Sequence, residues 1–355
     1  MMGGASMEFG MFHEFPTLAG RPDADAFAQG MAQVEAAERW GLDAMWLAEL
    51  HFVPKRSVLS FPLGVAAAIA ARTERMKIGI AVQVLPLAHP LRIAEDAATV
   101  DQLSRGRLIF GVGRSGLPRT YEAYGISYAE SRERFSEALE IIKLAWTQPS
   151  VTYAGKFHRI ENVVAMPKPF QQPLPDIRIA ATSPDTFVTN GKLGYPIFVA
   201  VRTERFADLV PDIRRYREAF QAAGHPGKPA SICACPPMSP RPTRERATRP
   251  GPAFSSCSGR TPRSSRTRPP RPTSPAAIER AKHADRLVNA SYEETLGQQV
   301  LSGSPDTFAA QLREVRDELG LDGILAELNC SGTIPHDNVM TALRLLCQEV
   351  MPQFH

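Results

Sequence analysis

The chain has 355 residues, 43% of them apolar, and that length can hold one α/β barrel with insertions or two domains. Its formal net charge of +4 is unevenly distributed, because residues 236–275 contain nine arginines and one acidic residue, so that the rest of the chain carries −4. This distribution argues against a nucleic-acid surface on the folded body, and no apolar run approaches the roughly 20 residues of a membrane span.

Strand and helix patterns alternate along the chain from Met7 onward, after a loose N-terminal extension without a secretory signal. Residues 25–40 predict an amphipathic helix that ends at Gly41, and residues 60–72 predict an alanine-rich one. A longer helix over residues 128–146 precedes a proline-containing surface excursion, residues 151–175. The apolar patterns predict eight strands, beginning near residues 7, 43, 77, 107, 177, 196, 230 and 322.

The most informative stretch runs from Lys77 to Arg114. Residues 77–85 form a β-branched apolar run typical of a strand buried on both faces. A helix over residues 91–104 follows, and Gly106 supplies the left-handed position that ends it. Residues 108–112 predict a second buried strand, so the stretch is a βαβ unit with parallel, neighbouring strands.

The string Ser-Pro-Asp-Thr-Phe occurs twice, at residues 183–187 and 304–308. Serine is a favoured N-cap and proline suits the first helical turn, so each copy predicts a helix start. Both predicted helices end in Leu-Gly, at Gly194 and Gly320, and lead into a strand. This repetition indicates serial βα modules, and eight of them favour a closed (βα)8 barrel over an open sheet.

Four segments, taken in order, closely resemble the bacterial luciferase-like flavin-dependent monooxygenases: Val-Leu-Pro-Leu-Ala-His-Pro at 84–90, Ala-Glu-Asp at 94–96, Asp-Gln-Leu-Ser at 101–104 and Gly-Arg-Leu-Ile-Phe-Gly-Val-Gly-Arg at 106–114. The resemblance covers roughly residues 7–235 and 276–355. It implies one luciferase-like TIM barrel over residues 7–355, working as a homodimer. It also implies reduced FMN from a separate flavin reductase, O2 and a small organic substrate.

A phosphate site is predicted after the fourth and fifth strands. Arg114 follows Gly113, which lets a ligand approach the backbone, and its guanidinium suits a bidentate phosphate contact. Ser183 and Thr186 lie at a helix start, where free amides favour an anion. The resemblance assigns these residues, together with Arg132, to the flavin. The alternatives are a surface salt bridge for either arginine and plain helix capping for the two hydroxyl residues.

The resemblance also places the flavin ring against Ala81, Val82 and Gln83, with a cis peptide bond between the first two. Without the family resemblance, the sequence of these residues would predict an ordinary buried strand.

Glu49 and His51 are the candidate catalytic residues, because they follow the second strand and histidine suits acid–base work. The family pattern is Glu-His-His-Phe, whereas this chain has Leu50 at the position proposed as the luciferase base. That departure argues against light-emitting aldehyde chemistry. A structural histidine is the alternative. Weaker candidates at other strand ends are His13, Glu14, Glu327 and Asn329.

Residues 236–275 are rich in Pro, Arg, Ser and Thr and cannot form a packed core. One interpretation is an active-site lid after the seventh strand, and another is a disordered linker. A third is a stretch of a GC-rich gene read out of frame between two compensating frame changes, because family-like sequence resumes abruptly at Ala276.

Several alternatives for function remain open. A deazaflavin-dependent oxidoreductase could use the same barrel, and loss of the lid would leave a flavin-binding protein without turnover. A nucleic-acid role for the arginine-rich segment is more remote. The five cysteines have neither disulfide nor metal spacing, so we expect no metal and a reducing cytoplasm.

Overall fold

The computed structural model describes residues 7–200, 205–235, 239–240, 300–329 and 332–355, and its centre is a closed ring of parallel strands. The ring closes because β8 pairs with β1 (Ile324 opposite Phe9) and β3 pairs with β4 (Ile78 opposite Leu108). The predicted (βα)8 barrel is confirmed, with each strand close to its predicted position. The strands are Glu8–His13 (β1), Ala44–Leu47 (β2), Lys77–Ile80 (β3), Leu108–Gly113 (β4), Asp176–Ala180 (β5), Ile197–Ala200 (β6), Ser231–Cys235 (β7) and Gly323–Ala326 (β8).

Helices connect the strands on the outside of the ring. Those in the described residues are Asp23–Arg39 (α1), Pro62–Ala70 (α2), Pro90–Ser104 (α3), Pro118–Ala123 (α4), Ser131–Thr147 (α5), Pro184–Leu193 (α6), Val210–Ala222 (α7), Pro305–Leu319 (α8) and His336–Leu345 (α9). The two helices with the repeated pentapeptide begin with extended serine N-caps and end at left-handed glycines, Gly194 and Gly320, as predicted. Within the described ranges, no helix combines the length and the apolar character that crossing a membrane requires.

The prediction of one continuous strand over residues 77–85 is wrong. β3 ends at Ile80, a cis peptide bond joins Ala81 to Val82, and Gln83–Val84 forms a separate two-residue strand beside β4. The cis bond itself was expected from the family resemblance and is confirmed. The end of α3 also differs from expectation, because Arg105 is already left-handed (φ 54°) before Gly106 (φ 84°).

The barrel interior is filled around Trp46, which has no exposed surface. The Phe198 ring packs edge-on at 5.0 Å and the Arg178 guanidinium lies 5.2 Å from the indole ring. A Cβ added at Gly10 or Gly79 would lie 2.6 or 2.1 Å from indole atoms, so both positions require glycine. The half-buried side chains that pack on this inner cluster come from β1, the β3–β4 connection and β5: Phe12, Ala81, Val82 and Ala180.

The predicted excursion after α5 is confirmed as an antiparallel hairpin, Val151–Ala154 with Arg159–Val163. The Glu137 carboxylate of α5 fixes its tip by accepting hydrogen bonds from the backbone N–H groups of Lys156, Phe157 and His158. Of residues 236–275, only Ser239–Pro240 lies among the described residues. The lid, linker and frame-change interpretations of that segment otherwise lie outside them and stay predictions.

Candidate active site

The two loops predicted to bind phosphate leave the same end of the barrel. β4 and β5 are parallel neighbours, with Val112 opposite Ile179. Arg114 directly follows β4, and Ser183 caps the helix that follows β5. Because carboxyl ends of parallel strands share one edge, the predicted convergence of these loops agrees with the topology.

Arg114 brings a positive charge to this edge. Its Nη1 donates to Ser131 Oγ at 3.1 Å, and no carboxylate of the described residues lies within 4.0 Å of the guanidinium. The salt-bridge alternative therefore finds no acidic partner in that part of the chain. The preceding Gly113 is needed locally, because a Cβ there would lie 2.5 Å from Val82 Cγ2.

Ser183 and Thr186 cap α6 in the way the alternative interpretation describes. Thr186 Oγ1 accepts from the backbone N–H groups of Thr182 (3.1 Å) and Ser183 (3.0 Å), and donates to the Ser183 carbonyl at 2.7 Å. Capping and anion binding are compatible, since the first amides of a helix have no intrahelical acceptor. Arg132 is exposed on the first turn of α5, next to the residue that contacts Arg114.

The Glu49 carboxylate brings together three of the predicted site positions. Its side chain is 5% exposed. One oxygen accepts from Gln83 Nε2 at 2.6 Å and from the Val84 backbone N–H at 2.8 Å. The other accepts from His51 Nε2 at 2.7 Å. These hydrogen bonds compensate the burial of the charge and fix the orientation of the Gln83 amide.

Two tyrosines that the sequence did not single out belong to the same site. The Tyr124 hydroxyl is hydrogen-bonded to His51 Nδ1 at 3.2 Å, and the buried Tyr121 donates to the Arg114 carbonyl. Burial raises the pKa of Tyr121 to about 12, and Arg114 and Glu49 lie close enough to affect that pKa in opposite directions. The sequence patterns predicted no helix at Pro118–Ala123, so nothing along the chain placed Tyr121 and Tyr124 at this site.

The weaker candidates line a small pocket between the ends of β1 and β8. Its lining includes His13, Glu14, Glu327 and Asn329. Glu14 forms an ion pair with Arg56, and the Asn329 amide holds both backbone groups of Ile334, so these two side chains serve the structure.

His13 is buried and neutral within a hydrogen-bonded chain. The Phe15 backbone N–H donates to His13 Nδ1 at 3.0 Å, so His13 Nε2 carries the hydrogen and donates to Gln33 Oε1 at 3.0 Å. Gln33 Nε2 then donates to His336 Nδ1 at 3.2 Å. Burial lowers the pKa of His13 to about 4, outside the range of a base at neutral pH.

The residues that follow β3, β4 and β5 fit a flavin nucleotide. Gln83 is 7% exposed and its Oε1 has no hydrogen-bond partner in the described structure, so it can accept from a ring N–H group. Ala81 and Val82 are half-buried and supply an apolar surface for a planar ring. Arg114 and the start of α6 supply positive charge and amides for a phosphate.

Comparison with known proteins identifies a matching family model and several similar proteins. A family model described as luciferase-like monooxygenase matches residues 7–323. The F420-dependent glucose-6-phosphate dehydrogenase of Kineococcus radiotolerans is 33% identical over 186 residues, 50% of this chain and 54% of that protein. The oxygenase component of the flavin-dependent trigonelline monooxygenase of Acinetobacter baylyi is 27% identical over 183 residues, 51% and 50% of the two chains. The chain thus spans about half the length of the curated relatives it matches.

A solved structure extends the likeness to the whole fold. The oxygenating constituent of 3,6-diketocamphane monooxygenase of Pseudomonas putida, in complex with FMN, superposes with a TM-score of 0.80 and covers 99% of both chains. At 20% identity, this likeness concerns the barrel alone.

The buried neutral His13 predicts a loss of stability in weak acid. An unfolded histidine gains a proton below its usual pKa of about 6.5, whereas folded His13 does so only near its lowered pKa of about 4. Stability should therefore fall as pH drops through this window, by about 2 kcal/mol from this residue between pH 7 and pH 5. Urea unfolding of the parent and of His13→Gln at both pH values measures it. An equal pH dependence in the two proteins would contradict the assignment.

Proposed function

This chain belongs to the luciferase-like monooxygenase family, and from that premise we propose a two-component flavin-dependent monooxygenase that uses reduced FMN and O2 to oxidise a small organic substrate. One observation carries the proposal. The Arg114 guanidinium has no carboxylate partner within the described ranges, and it follows a strand adjacent to the one that leads into the capped start of α6. A cation and free amides on neighbouring loops form a site suited to a phosphate.

Candidate residues are present for the flavin phosphate and for the flavin ring. Arg114, Ser183 and Thr186 would bind the phosphate, with Arg132 adding positive charge nearby. Ala81, Val82 and Gln83 would shape the ring site, and Gly113 keeps the backbone open to it. When bound, the reduced flavin supplies the electrons that activate O2. The chain itself orients the reactants and excludes water.

The assignment of partners follows the same resemblance. One relative is named as an oxygenase component, which supports a separate reductase that delivers reduced FMN. We also expect a homodimer in the cytoplasm. The second candidate is a deazaflavin-dependent oxidoreductase, because another relative is F420-dependent. A flavin-binding protein without turnover is the third.

Oxygen consumption separates these candidates. The full chain, supplied with reduced FMN from an added reductase and a panel of small ketones, phenols and terpenes, should consume O2 with formation of an oxygenated product. Hydride transfer with reduced deazaflavin alone favours the second candidate. Tight FMN binding without product from any substrate favours the third.

Replacement of Arg114 should weaken binding of FMN selectively. Arg114→Ala removes a charge-assisted contact with the phosphate, and FMN affinity should fall about 10- to 100-fold. Riboflavin lacks the phosphate, so its affinity should change little. Quenching of flavin fluorescence measures both. Arg92→Ala, which removes an exposed cation paired with Asp96, is the matched control. Equal losses for the two flavins would contradict a phosphate contact.

The duplicated pentapeptide offers an internal control for Thr186. Thr186→Ala and Thr307→Ala each remove a hydroxyl from the same N-terminal position of a helix. Thr186→Ala should cost about 1 kcal/mol of stability, because its hydroxyl accepts from the Ser183 backbone N–H, and Thr307→Ala should cost less, because its hydroxyl contacts the Ser304 side chain. Only Thr186→Ala should also weaken FMN binding, because α6 follows the strand next to Arg114. Thermal unfolding and FMN titration of both variants test this. Identical FMN affinities would reduce Thr186 to a cap alone.

A further inference from the structure

Three rings meet at the surface beside the candidate flavin site. His51 lies 5.4 Å from the Tyr124 ring, nearly perpendicular to it, and 5.8 Å from Phe52. The Phe52 and Tyr124 rings are 5.5 Å apart and tilted by 47°. Phe52 is 51% exposed and Tyr124 is 45% exposed, whereas the His51 side chain is only 12% exposed. The cluster therefore presents two aromatic rings outward over a mostly buried imidazole.

The hydrogen bonds beneath these rings have a fixed direction. The Glu49 carboxylate already accepts from Gln83 and Val84, and an ionised carboxylate can only accept. His51 must therefore carry its hydrogen on Nε2 when neutral, which leaves Nδ1 as an acceptor for the Tyr124 hydroxyl. The order is carboxylate, imidazole, hydroxyl, which is the order by which a triad draws a proton from its outer member.

The backbone at Phe52 is unusual. Its φ of 58° lies in the left-handed region, which a bulky aromatic residue rarely adopts. Such conformations cost on the order of 1–3 kcal/mol and concentrate at functional sites. The Phe52 ring is exposed and contacts Tyr124, so burial of this apolar side chain contributes little to offset the cost of the backbone conformation.

We propose that Glu49, His51 and Tyr124 form an acid–base unit whose outer hydroxyl contacts the organic substrate, and that Phe52 and Tyr124 select a planar substrate bearing an ionisable hydroxyl group, such as a phenol. The proposal rests on the proposed monooxygenase function and names its substrate class. The exposed rings favour a flat apolar molecule, since aromatic pairs gain from offset and edge contacts. The hydroxyl preference follows from a unit arranged to accept a proton.

The proton transfer balances without another reagent. The substrate O–H bond breaks as its proton passes to Tyr124 Oη, and the Tyr124 O–H bond breaks as its own proton passes to His51 Nδ1. No electrons are exchanged between molecules. The products are a substrate oxyanion, which is more readily oxidised than the neutral phenol, and an imidazolium beside the Glu49 carboxylate.

A pair of probes that differ in one proton tests the substrate class. In titrations of the full chain with oxidised FMN present, the parent should bind 4-propylphenol about tenfold more tightly than 4-propylanisole, which lacks the transferable proton. Tyr124→Phe keeps the ring and should abolish this preference with FMN affinity unchanged. Tyr153 lies in the hairpin after α5, and its hydroxyl donates to Glu140 of that helix. The control variant Tyr153→Phe should therefore retain the preference. The proposal is overturned if Tyr124→Phe retains the preference, or if the parent does not show it.

The direction of the hydrogen bonds has its own measurement, independent of flavin and substrate. Nitrogen NMR of the parent labelled in histidine should show that the neutral form of His51 carries its hydrogen on Nε2. Tyr124→Phe should shift the resonance of His51 Nδ1. A parent His51 protonated on Nδ1 instead would overturn the acid–base unit. Failure of the parent to bind FMN would remove the proposed function, whereas this spectrum would still decide the order of donors and acceptors.

Discussion

Closure of the sheet depends on how β3 meets β4, and the site is built where that contact is interrupted. β3 pairs with β4 through Ile78 and Gly79, and the displaced Gln83–Val84 segment resumes the pairing further along β4. The Glu49 carboxylate, reaching across from the end of β2, accepts from both residues of that segment. One buried carboxylate therefore joins the end of β2 to the segment that pairs with the end of β4. Its charge is tolerated because three hydrogen-bond donors point at it.

The interior explains why this end of the barrel is open to a ligand. Trp46 fills the space between Gly10, Gly79 and Phe198, and the Arg178 guanidinium over its ring is paired with Glu8 and Asp176 at the amino ends of β1 and β5. The half-buried side chains above the indole form a shallow apolar surface at the opposite end.

The two groups of candidate acid–base residues differ in environment, and that difference assigns them different roles. His13 is enclosed, neutral and engaged at both ring nitrogens within the protein. His51 lies under an exposed tyrosine hydroxyl, so the end of its hydrogen-bonded chain reaches the surface. Both lie at or just after the carboxyl end of a barrel strand, and they looked alike in the sequence. Their neighbours, not their positions along the chain, distinguish the enclosed His13 from His51, which we propose for acid–base work.

Local patterns in the sequence determined the eight strands, the helix caps at Ser183 and Ser304 and the barrel, because burial of βα modules and helix capping depend on residues close along the chain. The family resemblance added the cis bond at Ala81–Val82. Only the tertiary structure decided that the run over residues 77–85 is interrupted, that Glu49 binds Gln83 and that Tyr124 covers His51. These contacts join residues 34 and 73 positions apart, and no periodicity along the chain encodes which strand ends become neighbours in a closed ring.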